Sequence, residues 1–337
     1  MGMEAGPREE GIWHGGDLAT AKALFPDAPE PWIDLSTGIN PIPYPLPALP
    51  LSLWQRLPGA SEEAALLAAA RGAYQVRVQS RILAAPGTQI LIELLPRLMP
   101  QGAGVAVLSP TYGEHAQAWR KAGAELREIA DLSEAGDAAV VVLVNPNNPD
   151  GRVIAPGRLA ALAADLRARG GLLVVDEAFC DFMPGASLVP VLPEGALVLR
   201  SFGKAYGLAG LRLGFAIGEP DLIDRLRAML GPWAVAGPAL HIGTAALADR
   251  AWLAAAAAAR SADAARLDAL LAGRGLVIGG TALYRLLESA AAPGLFARLG
   301  RAGLYVRRFQ HDASRLRFGL PADEAAWTRL ARALAEA

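Results

Sequence analysis

The sequence predicts an α/β fold: a large, doubly wound unit with a mostly parallel central sheet, joined to a smaller α+β unit. Three observations lead there. From about Arg81 to Ile217, short apolar runs of strand length alternate with helical patterns, as strand–helix–strand units do. The polar strings of interest fall where those runs end, which is where parallel sheets present their ligands. After Gly218 the pattern changes to Ala/Leu/Arg helices followed by short strands. The expected division is an N-terminal arm over 1–50, the large unit over 51–235 and the small unit over 236–337.

Composition narrows the function classes. A chain of 337 residues can bury two cores. Its formal net charge of -1 predicts neither nucleic acid nor an acidic membrane surface as partner. Hydrophobic residues make up 53%, much of it alanine, and no apolar run approaches the roughly 20 residues of a membrane-spanning helix. Met1 to Glu10 is polar and lacks the apolar stretch of a secretory signal. A single cysteine, Cys180, rules out an internal disulfide, and four scattered histidines do not make a metal site. A cytoplasmic enzyme is the expectation.

In chain order, His14-Gly-Gly-Asp17 precedes a short helical pattern, Leu18 to Phe25, with Asp17 as N-cap. Amides at such a turn suit an anion, although a histidine beside two glycines is more often a plain turn. Ile33 to Thr37 reads as a short strand. Pro41 to Pro50 carries five prolines and reads as an extended tether. A helix over Ser61 to Tyr74 follows, with Ser61 as cap. Strands are expected at 82–85, 105–108, 140–144, 172–175 and 196–200, with helices over 90–99, 113–123, 157–169 and 221–230. Longer helices at 238–248 and 252–273 lead into short strands near 276–278, 282–287, 305–307 and 315–318.

Five strings carry chemistry. Ser201-Phe-Gly-Lys204 to Arg212-Leu-Gly214 puts a lysine in a glycine-punctuated loop just after an apolar strand. A lysine in such a crevice is a candidate nucleophile, because burial favours the neutral amine. Ser201 and Arg212 are types that hold a phosphate, a hydroxyl donor and a planar fork. Gly87-Thr88-Gln89 makes a turn at a helix N-terminus, where free amides favour an anion; alone, it is more often a bare cap. Tyr112 follows a strand end and could stack on a flat ring, or lie in the core. Asp176 closes an apolar strand, and a buried carboxylate needs a cationic partner. Asn148, in Asn145 to Gly151, presents an amide from a proline-fixed turn.

Together these strings resemble fold-type I pyridoxal-phosphate enzymes, the aminotransferases and decarboxylases, from about His14 to the C-terminus. The resemblance implies pyridoxal 5'-phosphate as cofactor of the large unit. Lys204 would bond the cofactor aldehyde, Asp176 would face the pyridine nitrogen, and Tyr112 would stack on the ring. Asn148 would donate to the ring oxygen, and the phosphate would lie among Gly87, Thr88, Gln89, Ser201 and Arg212. Arg317, in Leu316-Arg317-Phe-Gly-Leu320, matches the arginine that holds a substrate carboxylate. A homodimer is also implied.

Within that family the chain departs from the histidinol-phosphate aminotransferase pattern at Phe179 and Leu57, where tyrosines are usual. With His14-Gly-Gly-Asp17 and Asp34 to Pro41, these departures resemble the threonine-phosphate decarboxylase branch of cobalamin biosynthesis. That likeness implies a small phosphorylated amino acid, O-phospho-L-threonine, as substrate, converted to (R)-1-aminopropan-2-yl phosphate. The arm would cover the site, with His14 and Asn40 near the substrate and Arg307 as a second substrate arginine. Aminotransfer on a histidinol-phosphate-like substrate is the alternative. A noncatalytic regulator of this fold would carry an added DNA-binding domain, for which the sequence offers no candidate.

Overall fold

The computed structural model describes residues 12–335, so the segment Met1 to Glu10 and the last two residues lie outside the described residues. Contacts gather the chain into two units. The larger takes Ile39–Ala264 and Gly279–Leu283. The smaller takes the chain up to Gly38, with Ala265–Ile278 and Tyr284 onward.

These cuts differ from those expected at 50/51 and 235/236, for reasons visible in the pairing. Strand β1 (Ile33–Leu35) pairs in parallel with β11 (Leu304–Phe309), so the arm's first half joins the C-terminal sheet. Arg329 ties the same segment by donating to the carbonyls of Pro29 and Pro31. The arm's second half goes the other way. Tyr44 packs edge-on against Trp252, which stacks on Tyr206, and this keeps the start of helix Arg250–Leu271 with the larger unit.

The larger unit holds β2 (Arg81–Ala85), β3 (Gly104–Leu108), β4 (Glu125–Ile129), β5 (Val140–Val144), β6 (Leu172–Asp176), β7 (Ala196–Ser201) and β8 (Gly214–Gly218). They lie in the order β2-β8-β7-β6-β5-β3-β4, and every pairing is parallel except the two made by β8. The central strands are nearly continuous Val, Leu and Ala because both faces are covered. Val141, Leu143, Leu173 and Val175 face helices Ala60–Ala73 and Pro156–Ala168, while Val140, Val142, Leu172 and Val174 face Thr88–Leu94 and Glu114–Lys121. Strand β4 was not expected from the sequence. It is a mostly exposed edge strand reading Glu-Leu-Arg-Glu-Ile, so it lacks the apolar run that reveals the others.

Local signals worked unevenly. Asp17 caps Leu18–Leu24 by accepting from Thr20 N at 3.1 Å. The helix predicted from Ser61 starts one residue earlier with Gly59 as cap, and Glu62 reaches back to Gly59 N at 2.6 Å. β9 (Leu276–Thr281), β10 (Tyr284–Glu288), β11 and β12 (Asp312–Gly319) complete a five-stranded sheet in the order β1-β11-β12-β10-β9, all grouped with the smaller unit except the last three residues of β9. No described helix is long and apolar enough to cross a membrane.

A buried ionic cluster locks the ends of β6 and β7 together. Arg200 donates to Glu177 Oε2 at 2.8 Å and Asp181 Oδ1 at 2.5 Å, with its guanidinium 4.4 Å from the Tyr74 ring centroid. Glu177 also accepts from Ser187 Oγ and Leu188 N. Burial pushes both carboxyls up and Arg200 opposes the shift. The neighbouring Cys180 thiol is pushed up to about 12, chiefly by burial, which makes it an inert core residue. Arg200→Met should cost about 3–5 kcal/mol in urea unfolding, because two buried carboxylates lose their cation. Without Arg200, burial is opposed only at Glu177, by the Ser187 and Leu188 hydrogen bonds, and the folded pKa values stand further above the unfolded ones. Stability is then retained at low pH and lost as pH rises through the folded values, so the deficit should be smaller at acidic than at neutral pH.

Candidate active site

Register explains why distant strings meet. Across β2, β8 and β7, Ala85 lies opposite Gly214 and Gly214 opposite Ser201. The Gly87-Thr88-Gln89 turn therefore leaves the sheet beside the point where the lysine loop, 202–213, both leaves and returns. Gly87 has φ +85°, and a Cβ there would sit 2.6 Å from Arg212 Nη2. A Cβ on Gly214 would sit 2.7 Å from Thr88 N. Both glycines are needed for this close approach. Arg212 itself takes a left-handed conformation, φ 53°, at the end of the loop.

The nine residues expected around the cofactor, Gly87, Thr88, Gln89, Tyr112, Asn148, Asp176, Ser201, Lys204 and Arg212, all line one cavity. Phe179 lines it too, with Lys204 Nζ 5.7 Å from its ring centroid. Asp176 is buried at the end of β6 and accepts from Ala178 N at 3.0 Å. Tyr112 donates from its hydroxyl to Gln89 Oε1 at 3.1 Å, and Gln89 Nε2 donates to Glu114 at 3.2 Å. Ring and turn are thus fixed to one another.

The sequence did not reveal the partner of Asp176. His115, fully buried on helix Glu114–Lys121, has Nε2 2.9 Å from Asp176 Oδ2. A carboxylate oxygen accepts, so Nε2 carries the hydrogen. Its Nδ1 has no hydrogen-bond partner among the described residues. The ring also meets Tyr112 edge-on, centroids 6.1 Å apart. Its position, three residues after a pocket tyrosine on a buried helical face, was the available signal.

The Asn145 to Gly151 turn is braced from within. Asn145 Nδ2 donates to Ile154 O and Ala186 O. Asn147 accepts from Thr111 Oγ1 and donates to Pro110 O and Asp150 Oδ1. Asp150, whose place in the turn had no explanation in sequence, accepts from Asn147 and from Arg152 N at 3.1 Å, which closes the turn. Outside it, Gly280 N donates to Asp150 O at 2.9 Å, and a Cβ on either Gly151 or Gly279 would sit 1.9 Å from a backbone oxygen. Asn148 alone of the three asparagines lines the cavity.

The residues expected at the substrate divide. Asn40 belongs to the larger unit, and its amide is engaged with protein: it donates to Ala205 O at 2.8 Å. His14, Arg307 and Arg317 belong to the smaller unit. There Arg307 and Arg317 are direct partners across β11 and β12. Arg317 is buried, donates to Ser36 O at 2.8 Å and lies 4.9 Å from the Tyr284 ring centroid. Burial pulls its pKa below the usual arginine value, opposed by Tyr284 and Asp34. Exposed His14 lies between Trp13, whose carbonyl accepts from Arg307, and a glycine pair held on Ser36. The Gly16 amide donates to Ser36 Oγ at 2.7 Å, so it is not the open anion site expected from the sequence.

A sequence profile of the aminotransferase class I and II group matches residues 54–334. The chain belongs to the aminotransferase class I and II family. Among relatives, threonine-phosphate decarboxylase from Pseudomonas aeruginosa is 46% identical over 326 residues, 95% of this chain and 96% of that protein. A protein of the same name from Sinorhizobium sp. is 45% identical over 96% of this chain and 98% of its own length. A histidinol-phosphate aminotransferase from Mycobacterium bovis is 36% identical over 69% of this chain and 66% of that protein. The fold agrees: histidinol-phosphate aminotransferase from Clostridium acetobutylicum superposes with a TM-score of 0.78 at 21% identity, over 90% of this chain and 98% of that one.

Within this aminotransferase fold the cavity suits pyridoxal phosphate. It combines a lysine, a carboxylate backed by a histidine, a tyrosine ring and a helix N-terminus beside an arginine. If His115 holds Asp176 for that group, His115→Leu should weaken pyridoxal phosphate binding about 10-fold in equilibrium dialysis, the loss of a carboxylate hydrogen bond of about 1.5 kcal/mol. Unchanged affinity would remove His115 from the site.

Proposed function

We propose that this chain decarboxylates O-phospho-L-threonine with pyridoxal phosphate, releasing CO2 and leaving (R)-1-aminopropan-2-yl phosphate for cobalamin assembly. The observation that carries this reading is the 45–46% identity to two threonine-phosphate decarboxylases along nearly the whole chain. The likeness to the histidinol-phosphate aminotransferase is both lower and shorter.

Bound pyridoxal phosphate supplies an aldehyde for the substrate amine and a ring that accepts the electron pair left when a Cα bond breaks. The protein's part is to choose the bond and move the proton. Asp176, held by His115 and the Ala178 amide, would take the ring nitrogen, and Tyr112 would lie against the ring. Ser201, Arg212 and the Gly87 turn take the cofactor phosphate. Lys204 Nζ would hold the cofactor aldehyde at rest and, as a free amine during turnover, would pass to Cα, in place of the lost carboxylate, the proton it takes from the substrate's ammonium group.

Choice between decarboxylation and aminotransfer depends on which Cα substituent stands perpendicular to the ring. We assign that orientation to His14, Arg307 and Arg317, acting on the substrate's phosphate and carboxylate. Supporting this assignment, the two arginines face each other across β11 and β12, and the backbone around His14 is tied to the same strands and to Ser36. Phe179, where a phenol would offer one more donor, leaves the cofactor's ring oxygen to Asn148.

The partner we propose is a second copy of the chain. Leu51, Trp54, Leu57 and Trp233 are each more than 60% exposed on the larger unit, an apolar surface of the kind that marks a protein interface. Light scattering should give the mass of two chains, and a monomer at micromolar concentration would refute this.

Incubation of the purified chain with pyridoxal phosphate and phosphothreonine should release CO2 without any 2-oxo acid. Turnover that requires 2-oxoglutarate would instead make it an aminotransferase. In the same assay His14→Ala should raise KM for phosphothreonine about 10-fold, the loss of one charged hydrogen bond, with little change in cofactor affinity. An unchanged KM would remove His14 from the substrate site.

A further inference from the structure

Asn40, offered by the sequence as a substrate contact, is buried and makes four hydrogen bonds within the protein. Its backbone N–H donates to Lys204 O at 2.9 Å, and its side-chain Nδ2 donates to Ala205 O at 2.8 Å. Its Oδ1 accepts from Ile42 N at 3.1 Å and from Arg260 Nη1 at 3.2 Å. Arg260, on helix Arg250–Leu271, is itself held through Nε by Asp263 Oδ2 at 2.7 Å. A continuous series of contacts thus runs from Asp263 through Arg260 and Asn40 to two carbonyls of the helix Phe202–Ala205, which carries Lys204.

A four-residue helix has few donors of its own for its last carbonyls: locally Lys204 O receives Gly207 N at 3.4 Å, so the shorter bonds from Asn40 are its main anchor. The neighbouring backbone continues the clasp, with Tyr44 N donating to Tyr206 O at 2.9 Å. Gly207, at φ +67°, has no room for a side chain there: a Cβ would lie 2.7 Å from both Asn40 O and Pro43 Cα. Both oxygen and nitrogen of the Asn40 amide are used, and its orientation follows from its partners: one end faces a carbonyl, the other an amide N–H and a guanidinium.

We propose that Asn40, braced by Arg260, is a positioning residue that sets the reactivity of Lys204 by fixing its backbone, and that it does not touch substrate. The proposal rests on Lys204 being the reactive amine of the function above. A displacement of about 1 Å at a reacting group can cost roughly 100-fold in rate, and a lysine on a four-residue helix depends on that helix's anchor.

The test uses Asn40→Ala, Asn40→Asp and Arg260→Met in the full chain. Asn40→Asp keeps an acceptor for Arg260 and Ile42 but sets an oxygen against Ala205 O, whereas Arg260→Met leaves the Asn40 contacts to the lysine helix and removes only their brace. Two quantities are measured: the rate at which Lys204 of the cofactor-free chain bonds pyridoxal phosphate, followed by visible absorbance, and kcat and KM for phosphothreonine. Both Asn40 variants should slow the first rate and kcat about 10-fold or more, and Arg260→Met should slow them less, with KM within about twofold and unchanged far-ultraviolet circular dichroism. A KM raised 10-fold with kcat and the bonding rate unchanged would make Asn40 a substrate contact and overturn the proposal. Unchanged rates in all three variants would overturn it as well. Because bonding of pyridoxal phosphate is read without substrate, the result does not depend on phosphothreonine being the right one.

Discussion

A carboxylate taken out of water at the carboxyl end of a central strand is the constraint that much of the larger unit serves. Asp176 is tolerable there only with donors around it, and two are supplied, the Ala178 amide and the His115 ring. One comes from its own chain direction and the other from a helix that packs across β3 and β4. Under the proposed function, the ring nitrogen of the cofactor would be the third partner, on the cavity side.

Geometry around that carboxylate is fixed by residues one step away in sequence. Glu177 follows Asp176, and Arg200 precedes Ser201; their buried ion pair couples two strand ends whose next residues face the cavity. The single antiparallel strand, β8, has a comparable effect. By returning the lysine loop to the sheet beside its own start, it sets Ser201, Arg212 and the Gly87 turn in one neighbourhood. A strictly parallel order would have separated them by a crossover.

Much of this was legible in the sequence, and the parts that were not share a cause. Apolar runs revealed the central strands because burial on both faces demands them, and the strings expected around the cofactor meet in one cavity because they leave neighbouring strand ends. Strand β4 was missed because an edge strand can be charged. His115 was dismissed as one of a few scattered histidines, since its partner lies 61 residues away. Contacts group the chain differently from the expected division because β1 pairs with a strand near the other end of the chain. Asn40 was matched to the substrate by motif, yet its amide is committed to groups 165 and 220 residues distant. Local chemistry can be read from a string; which of several polar groups will claim it cannot.

The turn that presents Asn148 rests, backbone against backbone, on Gly279 and Gly280 of β9, with no side chain between them. Those glycines are translated long after the turn they support. At ordinary elongation rates the interval is on the order of ten seconds, during which the nascent cavity has one wall unsupported. The turn that presents Asn148 therefore gains its last support only once β9 has been made, after every strand of the seven-stranded sheet.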